Sequence, residues 1–452
     1  MELIQEWNDK LYNAKNYVYK LPNGLKVLHS VDPKTTDTTI NILTKGGAYR
    51  DIELGLKKGT AHFLEHMLFG TPNKVFKSDK AMDRYTQGTQ KRASIGYNAT
   101  TSRKNIVFYG YANSYSEDRV IKLLYSQIDY PLENLKKYIE KQRKIIIAER
   151  ALDRKQEDDE LYNYINFLVE PYLKGYNHNI LGEMEDLKSI NHNDLENYYN
   201  NIFFKDNLYV SIQSNKEISK TIWEYLMKLD EKISKNKKHI KHRTEKCINK
   251  RRVGFFQDKY ENGFRIELNT FSPIKKEYNY KEIAIDRFFF QLLRRVSYLY
   301  IREKLGLVYS YSINHTSSIY YNTSLNYMSM KSSNENSSKL VKHIGKMLKI
   351  EIPKYLKSRK CIDWMESLKS SEKFPQTTSF DRDYAVNLTY ALLNGYEVFD
   401  KDILVKELMN VTVEDIQTAY EKYILNIPKH IWIVSDLEEK DIMNRLDLDS
   451  II

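Results

Sequence analysis

Apolar and polar positions divide the chain into short alternating runs and longer runs of helical period. "YVYKLPNGLKVLHSVDP", residues 17–33, alternates on either side of Asn23-Gly24, which predicts a hairpin closed by a tight turn. "TTINILTKGGAYRD", residues 38–51, predicts a further strand. "LENLKKYIEKQRKIIIAERALDRKQEDDELYNYINFLVE", residues 132–170, predicts a long amphipathic helix. "RVGFFQDKYENGFRIELNTFS", residues 252–272, again predicts a strand, an Asn-Gly turn and a strand.

The pattern repeats once. "INHNDLENYYNNIFFKDNLYVSIQSN" (190–215) and "VTVEDIQTAYEKYILNIPKHIWIVSD" (411–436) align at an offset of 221. Asp194 then matches Asp415, Tyr199 matches Tyr420, Val210 matches Ile431 and Ile212 matches Ile433. Each stretch predicts a helix opened by a polar cap, followed by a loop and a short strand. Their equal places near the ends of two halves point to duplication. The expected fold is α+β: two homologous domains, each a mostly antiparallel sheet packed with long helices. The expected boundaries are 1–230, a basic linker over 231–252, and 253–452.

The chain has 452 residues, with 71 Lys and Arg against 60 Asp and Glu, for a net charge of +11. The basic residues are scattered among acidic ones, so they predict a solvated surface and no nucleic-acid partner. Cys247 and Cys361 have no metal-type or disulfide-framework spacing. The first 20 residues lack an apolar stretch of signal-peptide type and carry acidic residues without arginine. No apolar run is long enough to span a membrane. These features predict a cytoplasmic protein without membrane association.

"GTAHFLEHMLFGTP", residues 59–72, carries the chemistry. As a helix with Thr60 as N-cap and Gly70 just past its end, it places His62 and His66 on one face, four residues apart. Glu65 lies beside them. Two imidazoles at this spacing can hold one Zn²⁺, and a neighbouring carboxylate can act as base. The bland reading is a packed helix. Against it, three ionisable groups among Phe63, Leu64, Met67, Leu68 and Phe69 are costly to bury unless something satisfies them. A catalytic zinc takes a third protein ligand. "EKQRKIIIAER", residues 140–150, offers Glu149 and Glu140, and spacing leaves both open.

These stretches resemble the inverted zinc motif and its companions in the pitrilysin/insulinase metallopeptidases, which include mitochondrial processing peptidases. "GGAYRD" (46–51), "IGYNATTSRKNIVFYGYA" (95–112), "RKIIIAER" (143–150), "YIREKLGLVYSYS" (300–312) and "VTVEDI" (411–416) extend the resemblance over nearly the whole chain. It implies a zinc-dependent endopeptidase with one Zn²⁺ on His62, His66 and Glu149, and Glu65 as general base. It implies that Asn98 and Ala99 present an edge on which peptide substrate lies as an added strand. It also implies that Arg302 and Tyr309 bind the substrate carbonyl and stabilise the oxyanion. Gln142 stands where relatives often carry a second glutamate, and the spacing from His66 to Glu149 is slightly long. The second half has no H-x-x-E-H, so one metal per chain is expected. Both motifs lie on one chain, so a homodimer or an active monomer is expected. The alternative is a catalytically silent structural or partner subunit of the same fold.

Overall fold

The computed structural model describes residues 1–9, 14–113, 115–152, 160, 163–164, 166–168, 179–233, 251–273, 279–318, 323–373, 384–393 and 401–451. It is a mixed α/β fold with two sheets, each in its own compact unit.

The first sheet holds β1 (Glu2–Asp9), β2 (Ala14–Lys20), β3 (Lys26–Val31), β4 (Asp37–Lys45), β5 (Gly96–Thr101), β6 (Asn105–Asn113) and β7 (Leu208–Ser214), in the order β1-β2-β3-β7-β4-β6-β5. The second holds β8 (Arg252–Gln257), β9 (Phe264–Pro273), β10 (Tyr311–Ser318), β11 (Thr323–Ser332) and β12 (His430–Ser435), in the order β10-β11-β9-β12-β8. Read from β3 and from β8, the two sheets share one order. A strand pairs parallel with the last strand of its unit, and the remaining pairs are antiparallel. The repeat seen in sequence is thus a repeat of topology.

Its best-preserved element is local. Helix His192–Asn200 opens with a capping box in which Asn191 and Asp194 exchange side-chain and backbone bonds. Helix Val413–Tyr420 opens with the same box, from Thr412 and Asp415. Such caps satisfy first-turn N–H groups that have no partner inside the helix. The strands that follow bury Val210, Ile212, Ile431 and Ile433 almost completely.

Three expectations are revised. The first Asn-Gly turn does join the paired strands β2 and β3. The second does not close a hairpin: Asn262 and Gly263 take positive φ, but β12 inserts between β8 and β9. Burying the apolar strand "HIWIVS" on both edges outweighs direct pairing of β8 with β9 across the turn. The predicted strand over 38–51 stops at Lys45, and "GAYRDIE" forms helix α1 (Gly47–Glu53). The units also depart from a single cut near residue 230. One comprises 1–155, 178–242 and 377–398, and the other 156–177, 243–376 and 399–452. Part of the helix expected over 132–170 falls on residues outside those described, 153–159, 161–162, 165 and 169–170. Its first part is α5, Glu133–Leu152, in the first unit. Further on, Tyr164 donates to Asn269 and Phe167 packs on Trp432 in the second. Conversely Ala385, in helix Tyr384–Leu393, packs on Val18 and Leu28 of the first sheet. Residues 234–250 of the expected linker lie outside the described residues. Among the described residues no helix is long and apolar enough to cross a membrane.

Candidate metal centre

Helix α2 spans Thr60–Gly70. Phe63, Leu64, Met67 and Leu68 on it are fully buried. At about 1.5–3 kcal/mol each, those four side chains supply roughly 6–12 kcal/mol, enough to carry buried polar neighbours. The N-cap is Gly59, with φ of 90°, and not Thr60. The hydroxyl of Thr60 donates to Lys57 O instead. Capping comes from a distance: the fully buried Asp51 carboxylate accepts from the N–H groups of Gly59 and Ala61, both at 2.9 Å. Gly70 is the last helical residue, and Thr71 turns back to donate to Met67 O.

Three donor groups meet beside this helix, two from it and one from α5. His62 Nε2 lies 3.8 Å from Glu149 Oε1, and His66 Nε2 lies 3.2 Å from Glu149 Oε2. The three ligand atoms all fall within 4.8 Å of one another. A tetrahedral ion with bonds near 2.1 Å would hold neighbouring ligand atoms ~3.4 Å apart, so the set fits Zn²⁺ with little movement. Both imidazoles present Nε2 to the same carboxylate, and His62 is buried. Glu140, the alternative ligand, is 72% exposed and pairs with Arg143.

Electrostatics sorts the two imidazoles. Burial, reinforced by His66, lowers the His62 pKa to about 4, so it is a neutral donor at physiological pH. Burial also pushes His66 down, but the hydrogen bond to Glu149 and the nearby carboxylates outweigh it and raise its pKa. Glu149 is lowered, first by His66. Gln142 is buried on α5 and its amide N–H donates to Gly70 O at 3.0 Å. That bond leaves the amide oxygen for His66, for which Gln142 is also a hydrogen-bond partner. The amide of Gln142 can therefore orient this histidine.

Glu65 is 7% exposed and accepts from Thr101 Oγ1 at 3.1 Å. Burial raises its pKa, which favours proton uptake. Thr101 ends β5, the last strand of the first sheet, which among the described residues pairs only with β6. Asn98 is exposed on this strand and its side chain accepts from the N–H of Ala99 at 2.9 Å. Helix α1 ties strand to helix: Ala48 and Tyr49 donate to Ser102 O and Arg103 O beyond β5, while Asp51 caps α2. Gly47 is required there, because φ is +59° and a Cβ would lie 2.2 Å from Ser102 O. Asp51 and Thr101 were not nominated from sequence. Thr101 lay within the recognised "NATT", but alternation places it only on the Ala99 face.

Arg302 and Tyr309 come together in the second unit. Helix Tyr280–Ser297 continues as a wide π-type turn over Tyr298–Lys304. Gly306, with φ of 60°, turns the chain back at its end, where Leu307 N–H donates to Ile301 O and Gly306 N–H to Arg302 O. The returning chain sets the Tyr309 ring centre 5.5 Å from the Arg302 guanidinium. Tyr309 is 87% exposed. Arg302, Tyr309 and Arg294 line an open polar depression beside β10.

The insulinase (peptidase family M16) model matches residues 26–166, and the peptidase M16 inactive domain matches residues 189–350. The mitochondrial-processing peptidase beta subunit of Saccharomyces cerevisiae is 33% identical over 186 residues, 40% of this chain and 37% of that protein. The Bos taurus beta subunit is 29% identical over 178 residues, 39% of this chain and 34% of that protein. The chain thus matches well under two thirds of the length of either relative. The first half of the periplasmic protease PqqL from Escherichia coli superposes with a TM-score of 0.75 at 14% identity, covering 100% of this chain and 96% of that one. Pitrilysin superposes with a TM-score of 0.64 at 16% identity, covering 96% of this chain and 46% of that one. At these identities the structural likeness is one of fold.

Proposed function

The chain belongs to the insulinase (M16) family of peptidases, and from that premise we propose that it is a zinc-dependent endopeptidase acting on extended peptides. The observation that carries this reading is the convergence of His62, His66 and Glu149 beside the buried carboxylate of Glu65. His62, His66 and Glu149 hold the metal. When bound, Zn²⁺ supplies Lewis-acid chemistry, acidifying water and polarising a peptide carbonyl. Glu65 takes the proton of the attacking water and returns it to the leaving amine as the C–N bond breaks.

Substrate enters as a strand added to the open edge of β5, exchanging main-chain hydrogen bonds near Asn98 and Ala99. That mode reads backbone, so it selects unfolded or short peptides over folded proteins. Arg302 and Tyr309 are assigned to the developing oxyanion by family resemblance, supported by their side-by-side placement. The presence of ligands and base on one chain favours this reading over a silent partner subunit.

Glu65→Gln is the decisive variant. It preserves shape and leaves the three ligands in place but cannot accept the proton. Peptide hydrolysis by zinc-loaded protein is expected to fall by about 10²–10⁴ with zinc content unchanged. Chelation is expected to abolish wild-type turnover and added zinc to restore it. Turnover within a few-fold of wild type in Glu65→Gln would remove Glu65 from the mechanism.

A further inference from the structure

We propose that Thr101 is a positioning residue that aims the general base Glu65 and ties it to the strand that holds substrate; this rests on the peptidase reading above. The Thr101 hydroxyl donates to Glu65 Oε2 at 3.1 Å. The last torsion of a glutamate is soft and roughly two-fold, so a buried carboxylate without such a donor turns freely between orientations. One oxygen committed to Thr101 leaves the other to receive the water proton.

The donor is itself held from two sides. Across the sheet Thr101 sits opposite Ile106 in β6. Beyond it the turn closes through Ser102 N–H to Asn105 O at 2.8 Å and Asn105 N–H to Ser102 Oγ at 2.9 Å. Helix α1 then grips that turn through Ala48 and Tyr49 and reaches α2 through Asp51. Base, donor and substrate strand therefore form one rigid assembly. Thr101 lies only two residues beyond Ala99, so the register in which a peptide pairs with β5 also fixes its scissile bond relative to Glu65. Thr101 makes that coupling direct.

Thr101→Val removes the hydroxyl with little change of shape. A hydrogen bond to a charged group corresponds to a factor of about ten to a hundred, so kcat is expected to fall by that factor. KM is expected to stay within about twofold and zinc content to be unchanged, because neither strand pairing nor ligands are altered. Thr101→Ser, which restores the donor, is expected to recover most of the rate. Val turnover within about twofold of wild type, or a Ser variant as slow as Val, would overturn the proposal. So would loss of zinc in the Val variant, which would make Thr101 a support of the metal site. A crystal structure of Thr101→Val gives a readout independent of turnover: a reoriented Glu65 carboxylate supports the role, and an unmoved one refutes it. Zinc-loaded wild type that cleaves no peptide would sink the peptidase reading, while the crystallographic comparison would still decide the position of Glu65.

Discussion

Asp51→Ala is expected to loosen the zinc helix from the far side. Two buried N–H groups, those of Gly59 and Ala61, donate to this carboxylate at 2.9 Å. Hydrogen bonds to a charged acceptor contribute about 1.5–3 kcal/mol each, so truncation should cost roughly 3–6 kcal/mol. The negative charge also sits at the positive end of α2, which pushes the value toward the top of that range. Asp51→Asn retains one acceptor but sets an amide N–H against a backbone N–H, and should cost about half as much. For comparison, the Asp79–Lys141 pair is at least half exposed on both partners, and Asp79→Ala should cost under about 1 kcal/mol. Native-state hydrogen exchange over Ala61–Phe69 is the direct assay, with urea unfolding of the whole chain beside it. The alanine variant should show the drop in protection concentrated in α2, with weaker zinc affinity. Protection within about 1 kcal/mol of wild type would show that the tertiary cap does not hold the helix.

Other outcomes follow from the same geometry. His62→Ala and Glu149→Ala should each lose most bound zinc while retaining the fold, read by metal analysis and circular dichroism. Zinc affinity should fall with pH in two separated steps. His66, raised above its ordinary 6.5, takes a proton first as pH falls, whereas His62 competes only near about 4. Between those values log affinity should change by about one unit per pH unit, and a slope of two would refute the assignment. Tyr309→Phe should lower kcat by about tenfold to a thousandfold with zinc content unchanged, and an unaltered kcat would remove Tyr309 from the mechanism.

The sequence by itself determined whatever neighbours along the chain decide. His62, Glu65 and His66 share a helix because 3.6 residues per turn brings positions three and four apart together. The polar caps that open helices His192–Asn200 and Val413–Tyr420 were legible from residue type, and the capping boxes the structure shows there join residues only three apart. The duplication was legible because both copies keep that cap and the buried strand after it. Only the tertiary structure decided which distant groups meet. Spacing could not choose between Glu149 and Glu140. The choice came from packing α5 against α2, which turns Glu149 to the histidines and leaves Glu140 in solvent. The Asn262-Gly263 turn forms, but β12 lies between the strands it joins, because burying an apolar strand on both edges outweighs direct pairing of β8 with β9. Asp51 and Thr101 belong to the same class. Their partners, Ala61 and Glu65, stand 10 and 36 residues away, and those bonds exist only because strand, clamp and helix close on one another. Local chemistry is written in spacing, whereas aiming the base is a property of closure, set by burial and hydrogen-bond satisfaction across the whole unit.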